Sequence, residues 1–130
     1  MKHAPGIYRY GSARSKGEGL RIGVSRHVPR GVRREDWAKD GYFDLWLPLL
    51  SPSADLVNAY LSDKITWAVF SRRYRSQMKK RECSQIIDLL ALMSQQATFC
   101  LGCFCEDETR CHRSLLQQLV AERCKVLKPH

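Results

Sequence analysis

The chain has 130 residues, 22 Lys or Arg against 13 Asp or Glu, and a formal net charge of +9. That length suffices for one domain whose core holds without disulfide help, and 44% hydrophobic with 27% charged residues is ordinary for a globular chain. No apolar run approaches the roughly 18 residues that cross a bilayer, and Met1-Lys2-His3-Ala4-Pro5 lacks a signal peptide's apolar core.

The expectation is therefore a cytoplasmic protein with no membrane partner, its six cysteines mostly reduced. Charge is unevenly spread: residues 1–35 hold nine Lys or Arg against two acids, and residues 72–81 hold six and none. Two basic segments beside a near-neutral remainder point to nucleic acid or a phosphorylated small molecule as partner. A merely solvated basic surface is the competing explanation.

Ile7-Tyr8-Arg9-Tyr10 alternates and ends in Gly11-Ser12, which predicts a short strand and a turn. A small, polar loop follows. Leu20 to Arg26 reads as a second strand, with Leu20, Ile22 and Val24 on one face and the arginines on the other. Pro29 and Gly31 bracket Arg30 in a turn, where Arg14, Arg26 and Arg30 could converge on an anion or stand merely exposed.

Residues 33–41 read as a polar connection or short helical turn stopped by Gly41, and 42–47 fit a strand or a short helix. Pro48 and Pro52 break that run, and Ser53 is a good N-cap for a helix from Ala54 to Leu61. From about Lys64, Trp67, Phe70, Tyr74 and Met78 form one helical stripe, read as core, with the cations of 72–81 mainly elsewhere on the cylinder.

A further helix from about Ser84 to Gln96 is apolar around much of its circumference and is expected to be heavily buried. Ala97 to Phe104 carries no charge and reads as a buried strand. After an acidic loop, Leu115, Leu116, Leu119 and Val120 mark a last helix, and 125–127 an edge strand.

Three stretches carry a family resemblance. They are Arg14 … Gly19-Leu20-Arg21-Ile22 … Arg26 … Pro29-Arg30-Gly31-Val32, then Pro52-Ser53 with Phe70-Ser71-Arg72-Arg73-Tyr74, and then Cys105-x5-Cys111-His112-Arg113. In that order they resemble the YeaO-like family of uncharacterised prokaryotic proteins, domain of unknown function 488, in its branch with the Cys-x5-Cys-His-Arg motif. The resemblance implies a single-domain α/β fold over residues 1–130, layered, with a small central sheet flanked by helices. It supplies no activity. Many relatives have Asp where this chain has Ser25, and Leu-Trp in place of His27-Val28, so an acidic role at position 25 is not inherited.

Residues 98–113 hold four of the cysteines at a strand-to-helix junction, where α/β proteins place their chemistry. A helix starting near Thr109 to Cys111 would aim free amides and its positive dipole end at the loop. That would favour an anion and lower the pKa of Cys105 or Cys111. As an enzyme, the chain would use Cys105 or Cys111 as nucleophile or redox thiol, with His112 as base or orienting group. Arg14, Arg26, Arg30 and Arg113 would hold the anion.

Phosphatase and rhodanese loops use this geometry with small residues between Cys and Arg. Here Glu106-Asp107-Glu108 argues against both activities. As a binding module, the same arginines with the 72–81 cluster would grip a nucleic-acid backbone. No cofactor is favoured. Zinc or iron–sulfur is the third alternative, through Cys103, Cys105, Cys111 and His112, because strand alternation turns Cys100 to the other face. Cys83 and Cys124 read as packing residues.

Overall fold

The structure, a computed structural model, describes residues 4–105 and 107–127. Four strands, β1 (Gly6–Arg9), β2 (Leu20–Gly23), β3 (Leu45–Trp46) and β4 (Phe99–Cys103), form one sheet in the order β1-β4-β2-β3. All of its pairings are parallel. The last strand in sequence thus fills a central position, and all five of its residues are buried. An uncharged run is what such a strand requires, because both of its faces are covered.

Four helices follow: α1 (Ala54–Leu61), α2 (Trp67–Gln77), α3 (Arg81–Ser94) and α4 (His112–Val126). Ser53 caps α1 by accepting from Leu56 N, and Thr66 caps α2 by accepting from Val69 N. All four helices contribute to one core with Ile22, Val24, Phe99 and Leu101, so they cover one face of the sheet. The other face lies under Tyr8, Tyr10 and Phe43, with Trp37, Tyr42 and Trp46 packed against them.

That second layer needs two glycines. Gly23 and Gly102 pair across β2 and β4, and a Cβ on Gly102 would sit 2.2 Å from the Tyr8 ring. One on Gly23 would sit 2.3 Å from Phe43.

Several expectations are corrected. Ile22 and Val24 face the helix core and Arg21 the opposite layer, as the alternation predicts, but Leu20 is 57% exposed while Arg21 is fully buried. The helix core covers one face of β2 and the aromatic layer the other, so neither face of its middle is wet. Arg21 donates from Nε to Glu18 Oε2 at 2.6 Å and from its other nitrogens to Ser12 O, Gly41 O and Ala13 O. Its guanidinium lies 4.3 Å from the Tyr8 ring centroid. Every one of those acceptors comes from the loops, so this single side chain ties residues 12–18 and 41 to the sheet.

α3 buries only Cys83, Ile87, Leu90 and Ala91, while Leu89 and Leu92 face outward, so it is one-sided rather than heavily buried. Residues 125–126 continue α4, and no edge strand forms there. All six cysteines are free thiols.

Candidate functional site

The parallel sheet brings the ends of β2 and β4 to one edge. Val24 N donates to Gly102 O and Tyr10 N to Cys103 O, extending the pairing just past the strands. Chain leaving β4 then turns through a 3-10 turn, Glu108–Arg110, into α4. Asp107 stabilises that turn by accepting from Thr109 N and Thr109 Oγ1.

Alternation along β4 sorts the cysteines. Cys103 points to the helix face, whereas Cys100 points away and lies 3.5 Å from Glu18 Oε2, with burial pushing its thiol up to about 12. Past the strand end, Cys105 returns to the helix face with its sulfur 4.0 Å from that of Cys103. Cys111 and His112 arrive from the start of α4. One ligand atom each from Cys103, Cys111 and His112 fall within 4.8 Å of one another, all three residues being buried. Cys105 is the exposed member of the group.

His112 is held by the backbone. Its Nε2 lies 2.7 Å from Val24 O, and a carbonyl can only accept, so Nε2 carries the proton. Nδ1 is then a bare acceptor, 3.7 Å from Cys111 Sγ. Burial pushes the imidazole pKa below its ordinary value, which keeps it neutral, and Tyr74 closes over it edge-on. Arg113 is fully buried. Its Nη1 donates to Cys105 O at 2.9 Å and lies 3.6 Å from Cys111 Sγ. Among the described residues its Nε and Nη2 have no hydrogen-bond partner, although Glu108 Oε1 stands 3.9 Å from Nη2.

This setting divides the thiols. Hydrogen bonds from Cys103 and Cys111 hold the Cys105 thiol well below its ordinary range, and the Arg113 cation adds to that. Donating those bonds raises Cys103 and Cys111, and burial raises both further. The thiol held lowest is thus the exposed one, Cys105.

Of the sequence-predicted residues, the fold brings Cys105, Cys111, His112 and Arg113 together, with Cys103. Arg26 and Arg30 are exposed in the loop that leaves β2 from the same edge of the sheet. Arg14 is elsewhere employed, donating from Nη1 and Nη2 to the two carboxylate oxygens of Asp44. Ser25 is buried. It shares a 2.8 Å hydrogen bond with Tyr10 Oη, and its hydroxyl also donates to His27 O. Sequence reasoning missed the Val24 carbonyl, which has no side-chain signature, and Tyr74, which it assigned to the core alone.

Comparison with known proteins gives one family. A family model described as the active DUF488-N3 subclade matches residues 5–124, so the chain belongs to the DUF488 family. Searches against curated proteins and against solved structures give no match.

Proposed function

We propose that this member of the DUF488 family is a thiol enzyme in which Cys105 is the nucleophile and an anionic, phosphate-bearing ligand is the substrate. The observation that carries the reading is geometric: Cys105 is the exposed thiol of the group, its sulfur 4.0 Å from that of the buried Cys103 and its carbonyl held by the buried Arg113, a setting that lowers its pKa. The Cys105 thiolate attacks an electrophilic centre of the substrate and forms a bond from Sγ. The bond to the leaving group breaks, its electron pair departs with that group, and the group takes a proton from water. Water then attacks the covalent intermediate, and the thiolate is regenerated.

His112 is a positioning residue here. Its proton is committed to Val24 O, and its bare Nδ1 faces Cys111. Arg113 supplies positive charge from beneath the thiolate. Arg26 and Arg30, exposed at the same edge of the sheet, are the anion-directing cations of this reading. The test is a pH profile of iodoacetamide alkylation read by mass spectrometry. Cys105 reacts well below neutral pH and ahead of the other five cysteines. Reaction no faster than that of an unstructured thiol overturns the reading.

One observation favours a second reading, a zinc site. Cys103, Cys111 and His112 form a buried Cys2His donor group, with the Cys105 sulfur 4.0 Å from that of Cys103 as the candidate fourth ligand, and the Nε2 bond to a backbone carbonyl is the outer-shell partner that metal-bound histidines use. Elemental analysis of protein purified under reductant separates the two, since near-stoichiometric zinc with an unreactive Cys105 favours the metal.

A further inference from the structure

Beside the thiol group, a second feature of the surface has been given no role. A cleft of about 520 Å³ opens between the α1–α2 connection and the turn before α4, lined by Tyr60, Leu61, Lys64, Thr66, Trp67 and Arg110, with Asp63 and Ile65 completing it. Arg110 immediately precedes Cys111, so one wall of this cleft is the loop that carries the thiols.

Its lining is unusual for a bare surface. Tyr60 and Trp67 stand 5.5 Å apart by ring centroids and are only partly buried. Leu61 is 73% exposed. Asp63 holds φ at 59°, a left-handed conformation that a non-glycine residue adopts at a cost. Trp67 is the first residue of α2, so the free amides of that helix's first turn open here as well. Lys64 and Arg110 are exposed, and among the described residues neither is paired with a carboxylate. Asp63 is the one acid of the lining.

The same helix carries charge away from the cleft. Along α2 and into α3, Arg72, Arg73, Lys79, Lys80 and Arg81 are all exposed, whereas Arg75 is engaged by Glu122 and Gln118. At 1.5 Å per residue α2 is about 15 Å long from Trp67 to Gln77, with Lys79, Lys80 and Arg81 just beyond its end. Aromatic rings at one end and exposed cations along the rest are a pattern that binds single strands, through base stacking and backbone charge.

We propose that the Tyr60–Trp67 cleft and the cation line of α2 and α3 bind single-stranded nucleic acid. One base stacks in the cleft, and the neighbouring phosphates lie on Lys64, Arg110 and the cations of α2. This rests on the reading of Cys105 as a substrate-facing thiol, and it names the substrate of that site as a nucleic-acid strand.

The test is fluorescence anisotropy with a labelled 12-nucleotide single strand, at about 50 and 200 mM salt. Five contacted phosphates lower the affinity by about a hundredfold between those two conditions. Trp67→Leu weakens binding by about tenfold or more, Trp67→Phe restores most of it, and Lys64→Ala with Arg110→Ala weakens it at low salt. Thermal melting of each variant shows whether it is folded, and Tyr60→Leu tests the cleft from the α1 side.

Binding indifferent to salt, or unchanged in both Trp67→Leu and Tyr60→Leu, overturns the proposal. So does competition by a mononucleotide as strong as that by the strand. The iodoacetamide profile of Cys105 is run on the same variants. A reactive Cys105 with no strand binding sinks the inference alone, and strand binding with an unreactive Cys105 sinks the thiol reading alone.

Discussion

His112 Nε2 donates to the carbonyl of Val24 at 2.7 Å, and this bond fastens the first turn of α4 to the end of β2 across 88 residues of chain. It sets the imidazole tautomer and, through it, the acceptor that faces Cys111.

A pH dependence follows from the burial of that ring. Its folded pKa lies below the ordinary value of 6.5, so the unfolded chain binds more protons once the pH falls under that value. Stability contributed by neutral His112 is fully present above pH 6.5 and is lost as the pH falls through the lower, folded pKa. Urea midpoints at pH 7.5 and 5.5 measure it, and His112→Gln, which keeps a donor and cannot titrate, flattens the difference. His112→Ala leaves the Val24 carbonyl buried without a donor and costs about 1–3 kcal/mol at pH 7.5.

Arg113→Met tests the charge beneath the thiolate. Removing the cation raises the Cys105 thiol, and alkylation at pH 6 slows by about tenfold or more. A Cys105 profile unchanged in a folded Arg113→Met protein would show that the neighbouring thiols alone hold it down.

Glu18 and Arg21 form the ion pair that pins the loop layer. The Arg21 guanidinium, hydrogen-bonded to it, holds the Glu18 carboxyl at about 2, below its ordinary value of 4.5. The stabilisation is therefore complete above pH 4.5 and is lost as the pH falls through about 2. Denaturation midpoints between those limits fall in the wild type and stay flatter in Glu18→Gln. Arg21→Met leaves the partly buried carboxylate unpaired and several carbonyls without donors, a loss of about 3–5 kcal/mol.

Gly102→Ala puts a methyl group into the Tyr8 ring. Either the ring or the strand must shift, and overpacking of this kind costs about 1–3 kcal/mol. Because Cys103 is the next residue, the expected readout is double: a lower melting temperature, and a broadened alkylation profile at Cys105.

The sequence carried the helices and β4 plainly. Ser53 and the Trp67-Phe70-Tyr74-Met78 stripe place α1 and α2 to within a few residues, and alternation alone separated Cys100 from Cys103 and Cys105. Alternation placed Ile22 and Val24 opposite Arg21, as the fold has them, but alternation reports in and out only when one face of a strand is wet. β2 sits between two strands, and what buries Arg21 is a set of carbonyls from loops that no local pattern announces. Arg14 was offered as an anion ligand since its partner, Asp44, is 30 residues away and meets it only in the fold. For the site, residue types were legible and the split in their protonation was not, because that depends on which sulfur is left exposed.

The position of β4 has a consequence for how the chain comes to be folded. β1 and β2 do not touch each other as neighbours; each pairs with β4, at a separation of 94 residues for Gly6 and Cys100. During synthesis the first two strands wait, unjoined, until almost the entire polypeptide has emerged, and such distant pairings form slowly. The thiols come together only after that closure. A chain released short of β4 would leave β1 without its pairing and one edge of β2 open, and it would carry none of Cys103, Cys105, Cys111 and His112.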